Sequence, residues 1–169
     1  MTVRAAICRT HGPPELIEVD DVDDPRPGPG QAVVRIVAGA VNFPDVLIIA
    51  NEYQVQVPTP IIPGSELAGD VVAVGEGVDT VAVGDRVYGS AMVGAFAEQI
   101  ALPAAGLKPV PQSASYEDAA AFGVVYGTAY HALRSVAEVE RGDTVLVLGA
   151  AGGVGLATVE LAQVLGATV

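Results

Sequence analysis

A hydrophobic segment that runs into a glycine-rich turn constrains this chain more than any other feature. Residues 144–149, TVLVLG, are apolar, a pattern typical of a buried strand. Glycines follow at Gly149, Gly152 and Gly155, and a helix-like segment continues from the turn. The order predicts a strand, a tight turn and a helix, with a second strand starting at residues 167–169. Such a unit opens a doubly wound parallel sheet.

The glycine spacing in this turn indicates a site for phosphate groups. The pattern G-x-x-G-x-x-G is a variant of the fingerprint with which strand–helix turns hold the pyrophosphate of a dinucleotide. Glycines let the backbone approach the phosphates, and the N–H groups and dipole at the start of the helix attract them. The alternative is a tight turn without a ligand, but the preceding strand and following helix favour phosphate binding.

A membrane helix is the other structure that this apolar segment could form. Residues 144–159 are uncharged, and Gly149 and Gly153 have the GxxxG spacing of membrane helices. However, Asp143 and Glu160 limit the segment to less than the roughly 20 residues that a span needs. Four glycines within seven residues also weaken a helix. We therefore expect no membrane span.

The residues before Pro111 predict a β-rich domain. Short apolar segments are separated by Gly and Pro, most densely at residues 24–31, and this punctuation is typical of a small barrel. A short helix is expected at residues 43–53, with Pro44 in its first turn. The expected strands lie at residues 3–9, 15–22, 31–42, 66–78, 83–89 and 94–103.

The composition changes after Pro111 to a helix-forming one. Residues 113–139 are rich in Ala, and Ser115 with Asp118 forms a capping-box pattern. Gly123 and Gly127 are expected to divide this segment into two helices.

Charge and cysteine content exclude several classes of function. The net charge of −12 disfavours nucleic acid and anionic membrane surfaces as partners. Cys8 is the only cysteine, so neither an intramolecular disulfide nor a cysteine-based zinc cluster can form. The N-terminus lacks a signal-peptide core, and we expect a cytoplasmic protein. His11 and His131 are too isolated to suggest metal ligands.

Five segments, taken together, resemble the zinc-independent medium-chain dehydrogenases/reductases, and within them the NADPH:quinone oxidoreductase branch. They occur in the family's order and extend over almost the entire chain. The segments are AVNFPD (40–45), PGSELAGDVVAVGEGV (63–78), VGDRVYG (83–89), GTAYHAL (127–133) and VLVLGAAGGVG (145–155).

The resemblance implies a fold of mixed β and α/β class. A GroES-like β-barrel catalytic domain would occupy residues 1–123, and a Rossmann cofactor domain would begin at residues 124–169 with its first βαβ unit. On this view the chain is truncated, being the N-terminal portion of a longer protein. The full-length family member would be a homodimer.

The implied activity is hydride transfer from NADPH to a quinone or enone, without zinc. The preference for NADPH over NADH rests on the resemblance alone, because the position that contacts the ribose 2′ group lies about 20 residues beyond the fingerprint. Zinc-dependent relatives have a Cys where this chain has Asn42, and a His where it has Ser65 before Glu66. No zinc site is therefore expected.

The resemblance also assigns roles to individual residues. Asn42 would bond near the nicotinamide ribose, and Tyr53 would donate a hydrogen bond to the substrate carbonyl. Thr128 would lie beside the nicotinamide carboxamide. The turn would supply backbone groups around the pyrophosphate, from Gly149, Ala151, Gly152, Gly153, Val154 and Gly155.

Simpler structural roles compete with two of these assignments. Asn42 could cap the helix at Pro44, and Tyr53 could be a packing residue. Asp45 is expected to be structural, as an acid in the first turn of that helix.

Two other functions stay open at this stage. The first is an enoyl reductase of the same superfamily, which shares this N-terminal organisation. The second is a non-catalytic fragment that has a folded β domain but weak cofactor binding.

Overall fold

Strands dominate the first part of the chain and helices the last part. The computed structural model describes residues 2–169. The strands are β1 Thr2–Cys8, β2 Ile17–Asp23, β3 Gln31–Ala40, β4 Glu66–Val74, β5 Arg86–Ser90, β6 Gln99–Pro103 and β7 Lys108–Pro109. The α-helices are α1 Phe43–Ala50, α2 Tyr116–Ala120, α3 Gly123–Tyr130 and α4 Gly153–Val164, and a π-helical segment spans His131–Val136. The chain divides into two units, the first ending at Ala121 and the second being Phe122–Val169.

Two antiparallel sheets build the first unit. One pairs β1 with β2, and the other has the strand order β6-β3-β4-β5-β7. A bridge between Ala5 and Ala97 joins β1 to the segment before β6. This arrangement confirms the GroES-like β fold expected from the sequence.

The core of the larger sheet is made of small and branched side chains on its central strands. Val34, Leu67, Val71 and Val87 are almost completely buried there. A second cluster packs α1 against β1 through Cys8, Ile48, Ile49 and Ile61. Because both ends of the link from β3 to α1 are anchored in these cores, the residues in that link are held in place.

The outer strand β2 is strongly acidic. It pairs on one side with β1, and within residues 2–169 no other strand joins its second side. Arg9 forms ion pairs with Glu18 and Asp20. Val19 is 73% exposed in the middle of the strand. An edge strand that carries charges is a common protection against unwanted strand pairing.

Helix α2 is attached to the sheet by polar contacts as well as by apolar packing. The predicted capping box is confirmed, because the Ser115 hydroxyl accepts from the Asp118 N–H at 3.0 Å. The Tyr116 hydroxyl donates to Asp70 on β4. The Arg86 guanidinium lies 4.4 Å from the centre of the Tyr116 ring.

The helices of the second unit differ from the expectation at one glycine. Gly123 begins α3, as predicted, but Gly127 lies inside this helix and does not break it. Nothing lies within 4 Å of the position that a Cβ at Gly127 would occupy. A glycine weakens an isolated helix by only about 1 kcal/mol, which packing of α3 can offset.

The predicted strand at residues 144–149 is reduced to one bridge. Thr144 pairs with Thr168 in parallel, which is the direction that a βαβ unit requires. Val145 and Val147 are half-buried, whereas Leu146 and Leu148 are 84% and 85% exposed. The expectation of a buried strand was wrong because a strand forms by pairing, and this segment has one short partner in the range that the structure describes.

Helix length decides against a transmembrane helix. None of the helices found between residues 2 and 169 combines the length and apolarity that crossing a bilayer requires.

Candidate functional site

The glycine turn between residues 149 and 155 has the geometry of a tight strand-to-helix connection. Gly149 adopts a φ of 73°, in the left-handed region that favours glycine. A Cβ at Gly155 would lie 2.2 Å from the carbonyl oxygen of Gly149, so no side chain fits there. At Gly152 a Cβ would contact the same oxygen at an ordinary 3.5 Å. Two of the three glycines are therefore required by the turn itself, and Gly152 is not.

The first turn of α4 is suited to an anion. The helix has 12 residues and Gly152 is its N-cap, with no side chain that caps the helix by a hydrogen bond. Unpaired N–H groups at a helix N-terminus bind phosphate groups readily. Residues 151–154 are exposed, and three of them are as small as Gly or Ala. Binding of a dinucleotide pyrophosphate at this turn stays a prediction.

The other predicted cofactor residue of the second unit lies on α3. Thr128 is exposed on this helix, one turn after Val125. The Val125 side chain approaches Gly153, where an added Cβ would lie 3.1 Å from Val125 Cγ1. Helix α3 thus packs against the start of α4. Ala151 and Val154 complete the exposed turn.

Asn42 lies between the end of β3 and the start of α1. It is the N-cap of α1, which confirms the prediction that Asn42 caps this helix, and it forms a capping box with Asp45. Its backbone N–H donates to Asp45 Oδ2 at 2.7 Å. Asp45 is only 1% exposed, so this first-turn acid has the expected structural role.

The Asn42 side chain is bound by a second acid that the sequence analysis did not assign to the site. Its Nδ2 donates to Glu66 Oε2 at 2.8 Å and lies 3.5 Å from Ser65 Oγ. Glu66 is 2% exposed and is the first residue of β4. An acidic residue at the start of a mostly apolar strand was the available signal, because a buried carboxylate needs a hydrogen-bond donor.

Tyr53 follows α1 and is half-buried. Its ring packs against the cluster of Cys8, Ile48, Ile49 and Ile61. Asn42 and Tyr53 therefore flank opposite ends of α1. These contacts confirm the prediction that Tyr53 is a packing residue. Its contact with a substrate stays a prediction.

The histidines lie apart from other groups that could hold a metal. His11 Nδ1 is 3.3 Å from the carbonyl oxygen of Ile49, and His131 is exposed. From Thr2 to Val169 the side chains of His, Cys, Asp and Glu form no group of three that could hold a metal ion.

The predicted site residues thus form two sets. In the first unit the structure brings Asn42 together with Ser65 and Glu66. In the second unit it places the residues of the glycine turn around the start of α4. Their functional roles stay predictions.

Comparison with known families and proteins places this geometry among oxidoreductases. Residues 28–112, half of the chain, match the family described as the alcohol dehydrogenase GroES-like domain. The quinone oxidoreductase-like protein 2 homolog of Nematostella vectensis is 40% identical over 168 residues, which is 98% of this chain and 46% of that protein. The chain spans about half the length of the quinone oxidoreductase-like relatives it matches.

Solved structures extend the likeness to nearly the whole chain. The human synaptic vesicle membrane protein VAT-1 homolog-like protein has a TM-score of 0.96 and 32% identity, over 99% of this chain and 55% of that one. The quinone oxidoreductase of Thermus thermophilus, solved alone and in complex with NADPH, has a TM-score of 0.85 and 34% identity. The likeness covers 97% of this chain and 51% of the Thermus chain.

Proposed function

Because this chain belongs to the alcohol dehydrogenase GroES-like domain family of medium-chain oxidoreductases, we propose that the protein is an NADPH-dependent reductase of quinones or other conjugated carbonyl compounds. The observation that carries the proposal is the turn at residues 149–155, where small residues surround an uncapped helix N-terminus. A relative with the same fold is known in complex with NADPH, which supports the choice of cofactor.

NADPH supplies a hydride, which is two electrons and one proton, and a second proton from solvent completes the reduction of the carbonyl compound. The N–H groups of Gly153 and Val154 would bind the pyrophosphate, helped by the dipole of α4. Thr128, exposed on α3, would orient the nicotinamide carboxamide. Each of these groups binds and orients the reacting molecules, which lowers the entropic part of the barrier.

Two residues of the first unit would act on the reacting groups. Asn42 would bind the nicotinamide ribose through its carboxamide. Tyr53 would donate a hydrogen bond to the carbonyl oxygen that gains negative charge as the hydride arrives. Asn42 and Ser65 stand at positions where zinc-dependent relatives have metal ligands, which supports a reaction without zinc.

Fluorescence titration and turnover test the proposal together. The 169-residue chain is titrated with NADPH and, in parallel, with NADH. The complete gene product is then assayed for oxidation of either cofactor with a quinone, an enone and an enoyl thioester. Saturable NADPH binding and preferred turnover of the quinone or enone are expected.

Three other results would change this assignment. Preferred turnover of the thioester indicates the enoyl reductase. Failure of the 169-residue chain alone to bind NADPH indicates that these residues are a non-catalytic fragment on their own. If the complete gene product oxidises NADPH with none of the three substrates, the proposed function is wrong.

The resemblance to quinone oxidoreductases supports two further proposals for the whole protein, a cytoplasmic location and a homodimeric state. Light scattering coupled to size exclusion chromatography of the complete gene product tests the homodimeric state. A monomer at micromolar concentration would contradict it.

A further inference from the structure

Two buried acids hold Asn42 from different directions. Between Thr2 and Val169, Asp45 and Glu66 are the charged residues that are buried, at 1% and 2% exposure. Asp45 Oδ2 accepts from the Asn42 backbone N–H at 2.7 Å, and Glu66 Oε2 accepts from the side-chain Nδ2 at 2.8 Å. A buried carboxylate is costly without such donors, so both contacts are strongly favoured.

The sheet register places Glu66 beside Asn42. Glu66 pairs with Ala40 on β3 and with Ser90 on β5, so it lies on the central strand of the larger sheet. Gly64, just before it, has a φ of 95°, and a Cβ there would lie 2.5 Å from the Phe96 ring. Position 64 therefore requires glycine, and Glu66 itself is held by strand pairing on both sides of β4 and by its burial.

A carboxylate beside a carboxamide decides which way the carboxamide faces. An ionised Glu66 can only accept hydrogen bonds, whereas the Asn42 side chain has a donor nitrogen and an acceptor oxygen. A half-turn of the Asn42 carboxamide would bring its oxygen against Glu66 Oε2, which is repulsive. The nitrogen is therefore held at Glu66, and the Oδ1 oxygen faces away from it.

We infer that Glu66 is a positioning residue, which fixes the Asn42 carboxamide so that Oδ1 is presented as an acceptor to a hydroxyl group of the ligand. The inference rests on the proposed function, in which that hydroxyl belongs to the ribose of the nicotinamide nucleotide. Oδ1 faces the Asp45 backbone N–H in the capping box and has two lone pairs, so it can accept a further bond from a ligand. Glu66 acts through Asn42 and does not touch the ligand.

The test measures the Kd for NADPH by fluorescence in single and double variants. Glu66→Met removes the acceptor at similar volume and is expected to weaken binding about tenfold, or about 1.4 kcal/mol, because the freed Asn42 carboxamide must then be ordered when the ligand binds. Glu66→Gln retains an acceptor and is expected to rescue part of this loss. In an Asn42→Ala background both changes should alter the Kd less than about twofold, because the group that Glu66 positions is gone.

A matched control and two contrary outcomes complete this test. Glu98→Gln removes a carboxylate that is exposed and paired with Arg4, and it should leave the Kd unchanged. If the Glu66 variants weaken NADPH binding equally in the wild-type and Asn42→Ala backgrounds, the role of Glu66 is merely structural. If the single Glu66 variants bind NADPH as the wild type does, the inference is also overturned.

Nuclear magnetic resonance tests the contact without any cofactor. The side-chain amide signal of Asn42, assigned by its loss in Asn42→Asp, should show one proton shifted downfield and slow to exchange. Glu66→Gln should move this signal, and Glu98→Gln should not. If Glu66→Gln leaves the Asn42 side-chain amide signal unchanged, the inference is overturned. If the signal moves but the wild-type complete gene product does not bind NADPH, the proposed function fails and with it the ligand part of the inference.

Discussion

Gly152 and Gly155 lie three residues apart in the same turn, yet they are constrained by different partners. A Cβ at Gly155 would lie 2.2 Å from the Gly149 oxygen and 2.8 Å from the Ala150 Cα. These are backbone atoms, which cannot rotate away. At Gly152 the protein itself leaves room for a methyl group. Gly155 therefore serves folding, and Gly152 is available to serve a ligand.

Alanine substitutions at these glycines should separate stability from binding. Gly155→Ala is expected to lower the free energy of unfolding of the second unit by about 3 kcal/mol, through forced backbone movement. Gly152→Ala should cost less than about 1 kcal/mol, the difference between Gly and Ala at an N-cap. However, its methyl group would occupy the phosphate site and weaken NADPH binding about tenfold or more. Urea unfolding and NADPH titration of both variants measure the two effects, and equal NADPH affinity of Gly152→Ala and wild type would contradict the phosphate site.

The roles of residues such as these could be predicted from the sequence because they depend on interactions with residues nearby in the chain. Asn42, Ser115 and Gly149 each interact with residues a few positions away, and their turns and caps follow from residue type. Glu66 was missed as a partner of Asn42 because they are 24 positions apart. Their contact depends on the β3–β4 register, which shifts between Ile36 and Ala38 and cannot be read from the alternation of apolar residues.

At the scale of elements, Tyr116 is the polar link between α2 and the sheet. Its hydroxyl donates to Asp70, and Arg86 lies over its ring. Tyr116→Phe retains the ring and should lower the free energy of unfolding by about 1 kcal/mol, the usual contribution of a hydrogen bond. Tyr130→Phe, at a tyrosine that is 55% exposed, is the matched control and should have no effect on urea unfolding. Equal stability of Tyr116→Phe and wild type would show that packing alone attaches α2.

The same link predicts a pH dependence of stability. The hydrogen bond from Tyr116 and the contact with Arg35 lower the pKa of Asp70 from its usual value. Because the folded pKa is the lower one, the stabilisation is present above the ordinary Asp pKa of about 4 and is lost as the pH falls through the folded pKa. Urea unfolding between about pH 3 and pH 7 should therefore show Asp70→Asn less stable than wild type at neutral pH, with the difference narrowing as the pH falls below about 4. A constant difference across this range would contradict the prediction.

The segment at residues 144–149 predicts a contrast between neighbouring side chains. Leu146 and Leu148 are exposed, whereas Val145 packs on the cluster of Leu133, Val139 and Ala162. In the 169-residue chain, Leu146→Ser with Leu148→Ser should reduce binding of a hydrophobic dye and leave the stability nearly unchanged. Val145→Ser should lower the free energy of unfolding by about 1–2 kcal/mol. A large loss of stability in the double variant would show that these leucines are covered in solution.

This segment also shows where prediction from sequence ends for an element. Its apolar side chains on both faces predicted a strand of a sheet covered on two sides, whereas the structure forms a single bridge here and leaves Leu146 and Leu148 exposed. Whether the strand forms depends on neighbouring strands, and Thr168 is the one described partner. By contrast, α4 was predicted well because the periodicity and caps of a helix lie within the helix itself.

At the scale of the whole molecule, the two units have cores of unequal size. The first unit contains the clusters around Leu67, around Ile48 and around Ala120, whereas the second has one centred on Leu133. Small units bury a smaller fraction of their surface and are less stable. The residues from 122 to 169 should therefore unfold first.

Hydrogen exchange at increasing urea concentrations measures this order directly. Peptides from residues 122–169 should lose protection at lower urea than peptides from β3 and β4. A fragment of residues 1–121 should unfold at the same urea concentration as these strands do in the whole chain. NADPH should move the first transition to higher urea, by RT ln(1 + [L]/Kd) in free energy. A single transition for all peptides would contradict the prediction.

The acidic outer strand β2 also governs how copies of the molecule behave in concentrated solution. At neutral pH, two copies that meet along this strand bring like charges together, and the net charge of −12 adds to their repulsion. Near the isoelectric point of about 4.3 this repulsion disappears, while the exposed Val19 and the unpaired side of the strand remain. We therefore expect association between copies to be strongest near this pH.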